Sequence, residues 1–395
     1  MPRPAELSPG SFVHTFWPGR VVFGAGALDR VGEEVAALGV RRVLIVATKS
    51  ARDAADAVEQ QLGDLFAGRI DGVAQHVPTE LASTARAKAA AAAADAIVAI
   101  GGGSAIGLAK AVALTSTQNT LEPARGGRGV VIVAVPTTYA GSEMTPVWGE
   151  TAGGSKATGV DSRVLPRVVV YDPVLSLGLP LGVTAASVAN AIAHCVEAVW
   201  TPKADPITET VAVEGLRALG AGLREVLVAP EDLGARGKLL YGACLAGSAL
   251  ATAGTGLHHK LCHLLGGTYN LPHAETHAAV LPQVARINAP AVPQSAGRLA
   301  AALRAPAGEI PVRADAARSP GTSRAEGAVG DGGLARELFG LFEGAGVATS
   351  LRELGLSRAQ VDEAAAGFVV QGNPVPVDED VVREILVRAW DGVRP

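Results

Sequence analysis

Four short runs constrain this chain more than anything else in it: Arg42–Ala47 (RVLIVA), Ala96–Ile100 (AIVAI), Val130–Val135 (VVIVAV) and Val168–Tyr171 (VVVY). A strand with one wet face alternates polar and apolar residues. A run that is apolar throughout is buried on both faces, which belongs to a parallel sheet covered by helices on either side. Ala-rich helical patterns fill the gaps, at Ala27–Leu38, Ala51–Leu62 and Ser83–Ala94, and Arg20–Gly26 (RVVFGAG) reads as an edge strand closed by a glycine turn. The fold class expected is therefore an α/β N-terminal dinucleotide-binding domain with a parallel sheet, over residues 1–175.

From about Ser176 the strand signal fades. Helices are expected at Ala185–Trp200, Pro206–Leu227, Leu233–Ala253, His258–Leu265, Glu275–Asn288, Ala296–Leu303, Gly333–Gly344, Ser357–Phe368 and Asp378–Trp390, forming an all-α C-terminal domain over 176–395. Residues 304–332 are rich in Gly, Pro, Ala, Arg and acids without periodicity, and read as a mobile surface insertion.

Composition narrows the function classes. A 395-residue chain suggests two domains, at roughly 150 residues each. With 48% hydrophobic and 18% charged residues, bulk disorder is excluded. A net charge of -4 leaves no electrostatic footprint for nucleic acid. The three cysteines, Cys195, Cys244 and Cys262, are too few for a disulfide framework and favour a reducing compartment. The N-terminal stretch has no secretory apolar core, and no unbroken apolar run reaches the ~18 residues of a membrane span. A cytoplasmic protein without membrane partners is expected.

Two loops carry nucleotide-binding chemistry. In Ile97–Ala111 (IVAIGGGSAIGLAKA) a buried strand runs into Gly101, Gly102, Gly103 and Ser104 and then a helix. Such glycines let a pyrophosphate approach the backbone, and the helix start supplies N–H donors and a positive dipole end. The motif is neither GxGxxG nor a Walker loop. After the next strand, Val135–Pro146 (VPTTYAGSEMTP) gathers Thr137, Thr138, Ser142 and Thr145 where open α/β sheets bind ligands. Thr48-Lys49-Ser50, after the first long strand, holds no acid for a ribose 2′-hydroxyl, so NADPH is not strongly excluded.

Six of the eight histidines lie between residues 194 and 277. Asn190 and His194 share a helix face at i,i+4, as do His259 and His263, and His258, His273 and His277 lie nearby. This is the composition of a metal site. Yet Asn190 offers a neutral carbonyl where an acid would bring charge, which argues against a tightly bound metal.

Together, GGGS, PTTxxGSExT, the Asx-x-x-x-His helix and the His cluster resemble the iron-containing (group III) alcohol dehydrogenase superfamily. PTTYAGSEMTPVWG, NAIAH, GLHHKLCHLLGGTYNLPHAETH and SLRELG are similar, more narrowly, to its maleylacetate reductases. The resemblance spans about Phe12 to Trp390, apart from 304–332. It implies a dehydroquinate synthase-like architecture with the active site between the domains, NADH or NADPH as cofactor, a small dicarboxylate substrate and a homodimer. In metal-dependent relatives the positions of Asn190, His194, His259 and His273 are Asp, His, His and His. The implied reaction is conjugate hydride addition to the C=C bond of maleylacetate, giving 3-oxoadipate in aromatic-compound catabolism. His194, His259 and His273 are the candidates for enolate stabilisation and proton donation, since imidazole ordinarily titrates near neutrality. Lys260 and Lys156 are candidate carboxylate partners, with the cofactor an alternative for Lys156. His263 is a candidate to face the nicotinamide, and Glu275 and His277 to orient the loop. A metal-dependent dehydrogenase acting on C=O and a reductase recruited to a secondary-metabolite pathway are the alternatives.

Overall fold

The computed structural model describes residues 12–17, 19–74, 77–114, 129–153, 155–306 and 333–395. Strands β1 Arg20–Phe23, β2 Val43–Ala47, β3 Phe66–Ile70, β4 Ala96–Gly101, β5 Val131–Pro136 and β8 Val168–Tyr171 form one sheet in the order β1-β8-β5-β4-β2-β3. Every pairing in it is parallel. A separate antiparallel hairpin joins β6 Val147–Ala152 to β7 Ser155–Val160. Helices α1 Val31–Ala37, α2 Arg52–Leu62, α3 Thr79–Ala91 and α4 Gly103–Leu114 lie between the strands.

After Tyr171 the remaining elements are helical: α5 Leu181–Ala198, α6 Pro206–Val228, α7 Leu233–Ala253, α8 Leu257–Tyr269, α9 His273–Asn288, α10 Pro293–Arg304, α11 Gly333–Gly344, α12 Arg358–Ala365 and α13 Glu379–Asp391. The expected α/β-then-helical class is the one observed. Helix α3 starts at Thr79, earlier than expected, and α8 runs on to Tyr269. Of the expected insertion, residues 307–332 lie outside the described residues.

The apolar runs are buried on both faces, as their composition requires. Val43, Ile45, Val98, Ile100, Val133 and Val135 pack with α1 and α2. Leu44, Val46, Ile97, Ala99, Ile132 and Ala134 join a larger core that continues without a break into α5–α13. Helix α5 has the length and mean hydropathy, 1.2, of a bilayer span, although Asn190, His194 and Glu197 interrupt its apolar run. Here 78% of it is buried inside the molecule, as a core helix is.

Leaving β2, the chain first goes outward to β3 and then returns to the other side of β2 with β4. The connections therefore diverge at the carboxyl ends of β2 and β4. In a doubly wound sheet that switch point is where a ligand crevice opens.

Candidate functional site: a nucleotide crevice joined to a buried histidine cluster

Three loops converge at the switch point. Gly101, at φ +145°, ends β4 so close to Thr48 that a Cβ there would lie 2.7 Å from the threonine methyl. A Cβ on Gly102 would lie 3.0 Å from the Thr138 methyl, and one on Gly103 would lie 3.8 Å from Ser142 Oγ. The glycines thus keep open a cradle walled by Thr48, Thr138 and Ser142. Gly103 and Ser104 open α4, whose first N–H groups have no partner within the helix. Thr137 N–H donates to Gly101 O at 3.1 Å, tying the second loop to the first. Ser142 Oγ is buried and makes no hydrogen bond. A glycine cradle, a helix start and an unpaired hydroxyl together fit a pyrophosphate.

Thr145 is a correction. Its hydroxyl donates to Ser142 O at 3.0 Å and accepts from Lys110 Nζ at 3.1 Å and from Val147 N–H at 3.3 Å. A hydroxyl has one donor and two acceptor sites, so Thr145 is fully used in shaping the turn and has nothing left for a cofactor. The side chain of Lys156, on β7, lies outside the described residues.

Lys110 lies on α4, within the glycine motif. It is 1% exposed, and its Nζ also donates to the carbonyls of Ser142 and Thr145 at 2.7 Å and of Val147 at 2.9 Å. Burial pulls this ammonium down to about 7, opposed by the nearby Glu143 carboxylate.

Helix α5 connects the crevice to the histidines. Ser187 Oγ accepts the Tyr139 N–H, next to Thr138, at 3.0 Å. Asn190, His194 and Glu197 follow on the same face at helical spacing. With a rise of about 1.5 Å per residue, His194 stands ~10 Å beyond the hydroxyl loop. The loop is also seated on α7, where Gly141 packs against Ala243 and Gly247.

Glu197 escaped the sequence reading. It is 1% exposed and accepts the N–H groups of Gly256 at 3.1 Å, His258 at 2.7 Å and His259 at 3.3 Å, all at the start of α8. That helix leaves α7 through a 101° bend, which aims its amino end at the carboxylate. Glu197 also receives His259 Nδ1 at 2.5 Å. Burial alone would raise its carboxyl; the His259 charge and hydrogen bond, His258 and the Gly256 amide outweigh this and hold it at about 2. With Nδ1 donating, His259 presents Nε2, which is buried and unpaired, as are Asn190 Oδ1 and His194 Nδ1. The only hint in the sequence was a carboxylate one turn past His194 on a face directed inward.

The rings of His194 and His259 stack with centroids 4.9 Å apart. His258 Nε2 and His277 Nδ1 are 2.8 Å apart, and His277 Nε2 lies 3.4 Å from Nε2 of the half-buried His273. His263 is on the exposed face of α8, with its ring stacked 5.8 Å from that of His273. Lys260 is exposed, outside the buried cluster, and Glu275 is half-buried at the start of α9. Ordinary imidazole titration near neutrality does not hold for His194: burial, followed by the surrounding histidines, pushes it well below 6.5. The same causes lower His277, and burial brings His258 down to about 3. These three rings are neutral.

For a metal, the donor set is poor in charge. Among the described residues, the His, Cys, Asp and Glu group whose ligand atoms lie within 4.8 Å of one another is His258, His259 and His277. The first and last of these already bond each other. The nearest carboxylate, Glu197, is committed to α8 and His259. Asn190, His194, His259 and His273 supply no anionic ligand, so a divalent ion here would be held by neutral donors alone.

Comparison with known proteins agrees with this geometry. Residues 18–173 match the iron-containing alcohol dehydrogenase family, and 184–390 match the C-terminal region of the Fe-containing alcohol dehydrogenase family. The chain is 43% identical to a maleylacetate reductase of Burkholderia cepacia, covering 95% of this chain and 97% of that one. It is 41% identical to maleylacetate reductase 1 of Rhodococcus opacus, covering 99% of each. The crystal structure of a maleylacetate reductase from Agrobacterium tumefaciens superposes with a TM-score of 0.84 at 38% identity, over 98% of this chain and 99% of that one. A 1,3-propanediol oxidoreductase structure, 27% identical, gives 0.80 over 96% of this chain and 100% of the other. The chain belongs to the iron-containing alcohol dehydrogenase family, in its maleylacetate reductase branch.

Proposed function

We propose that this oxidoreductase reduces the C=C bond of maleylacetate to 3-oxoadipate with NADH or NADPH, and without a tightly bound metal ion. The observation that carries the reading is the face of α5: Ser187 holds the cofactor loop, and Asn190, His194 and the Glu197–His259 pair follow it with no anionic ligand turned to the substrate. Relatives named maleylacetate reductase support the choice of substrate.

When bound, the nicotinamide supplies a hydride. The hydride adds to the alkene carbon β to the ketone, the π pair moves to the ketone oxygen, and the enolate takes a proton at the carbon α to it. Asn190 and the neutral His194 are one turn apart and donate hydrogen bonds to that oxygen as its charge develops. His259, held through Nδ1 by Glu197, moves the proton through Nε2, in the manner of an imidazole oriented by a buried carboxylate. Burial of the cluster keeps water from the enolate.

Thr48 and Ser50, with hydroxyls 3.2 Å apart, and Lys49 replace the acid that would select against a 2′-phosphate, so both cofactors are accepted. The reading extends to a homodimer, supported by the exposed Phe12, Val13, Phe16 and Val21 near the β1 edge; mass measurement in solution tests it.

The deciding experiment is NADH and NADPH oxidation by chelator-treated, metal-assayed protein given freshly prepared maleylacetate. Turnover at metal contents far below stoichiometric is expected. Activity that returns only with Fe²⁺ or Zn²⁺ would overturn the metal-free mechanism, and inactivity under both conditions would overturn the substrate.

A further inference from the structure

We propose that Lys110 is a positioning residue for the cofactor, clamping the hydroxyl loop and the β6–β7 hairpin to the helix that opens the phosphate cradle. The inference rests on the crevice being an NAD(P)H site, as read above.

Helix α4 begins at Gly103, beneath the cradle, and carries Lys110 seven residues on, two turns down the same rod. From there Nζ reaches the carbonyls of Ser142, Thr145 and Val147 and the Thr145 hydroxyl, all within 3.1 Å. Ser142 supplies the unpaired hydroxyl facing Gly103, and Val147 is the first residue of β6. One ammonium therefore fixes the stretch from Ser142 to Val147, the end of the hydroxyl loop and the start of β6, against α4. No aliphatic side chain can replace it, because the buried Thr145 carbonyl and the part-buried Ser142 and Val147 carbonyls would all lose the ammonium that gathers them.

The neighbouring acid does not make this an ordinary ion pair. Glu143 is 1% exposed, and its Oε1 accepts from Tyr171 Oη at 2.7 Å; Lys110 donates to the loop backbone instead. An ammonium that bonds backbone carbonyls sets the shape of the chain, independently of which side chains line the crevice. Arginine is no substitute, since its planar fork cannot point three N–H bonds into one compact cage.

The test is direct binding of NADH and NADPH to wild type, Lys110→Met and Thr145→Val, by quenching of tryptophan fluorescence, alongside steady-state kinetics with maleylacetate. Lys110→Met is expected to raise the cofactor Kd about tenfold or more, with kcat at saturating cofactor within about threefold and the KM for maleylacetate unchanged. Thr145→Val removes one of the four Lys110 contacts, together with the hydroxyl's bonds to Ser142 O and Val147 N–H, and is expected to raise Kd about threefold. If Lys110→Met does not fold, the Thr145→Val value decides: an unchanged Kd there overturns the proposal. So does a Lys110→Met protein that loses kcat while Kd stays fixed. Failure of wild type to bind either nucleotide would instead overturn the cofactor reading itself.

Discussion

The two ends of α5 face opposite problems. At the crevice, side chains are removed: Gly101, Gly102 and Gly103 let Thr48, Thr138 and Ser142 approach the backbone at the start of α4. At the cluster, side chains are crowded: Asn190, His194, Glu197, His258, His259 and His277 are polar and at most 9% exposed; Glu197 pairs with His259 and His258 with His277, while Asn190 Oδ1, His194 Nδ1 and His259 Nε2 have no partner. The first end works through backbone and tolerates little added volume. The second works through pairs, and losing one member leaves its partner stranded.

The sharpest way to break this contrast is Glu197→Gln. It keeps the volume but removes the charge behind His259, and kcat is expected to fall on the order of a thousandfold, with cofactor Kd nearly unchanged. A loss of less than fivefold in single-turnover assays would mean that His259 does not need its carboxylate.

Acid should find the same weakness. His194, His258 and His277 are held neutral in the fold but bind protons below about 6.5 when unfolded, so the unfolded state gains protons as pH falls and stability drops. Each such group costs about 1.4 kcal/mol per pH unit until its folded-state value is reached, near 3 for His258. Glu197, lowered to about 2, adds a further loss between roughly 4.5 and that value. Urea midpoints measured from pH 8 to pH 4 should slope downward from about 6.5; a flat profile down to pH 5 would contradict neutral burial.

Asn190→Asp sharpens the comparison from the other direction by giving the cluster its missing anionic ligand. Zn²⁺ affinity, measured by competition with a chromophoric chelator, is expected to rise about a hundredfold. Equal affinities in the two proteins would show that charge at this position is not what limits metal binding. The smallest effect belongs to the crevice. In Gly102→Ala, Thr138 has to give way by a few tenths of an ångström, and the cofactor Kd is expected to rise about tenfold with kcat intact.

Legibility in the sequence follows the same division. The long strands announced themselves because both their faces are buried, and the glycine loop because three adjacent glycines have no purely structural use. Strand β3 (FAGRI) was not visible, being a half-buried edge strand that contains Gly68 and Arg69. The β6–β7 hairpin was missed because its residues are only partly covered and carry no long apolar run. The cluster was legible as composition but not as wiring. His194 and His259 could be singled out by type, whereas Glu197 works through amides about 60 residues away that no local pattern announces. Thr145 erred in the opposite sense: a hydroxyl in a cofactor loop looks like a ligand until its neighbours are seen to consume it.

The contact of Gly141 with Gly247 sets a rule for how this protein can drift. A Cβ on Gly247 would run into the carbonyl oxygen of Gly141, and one on Gly141 would come within 3.1 Å of the Gly247 backbone. Ordinary core clashes can be relieved by a second-site mutation that shrinks the opposing side chain. Here neither partner has a side chain to shrink, so a substitution at either glycine has no suppressor at the contact itself. Compensation can come only from moving α7 or the loop bodily, which would displace Ser142 and its neighbours from the cradle.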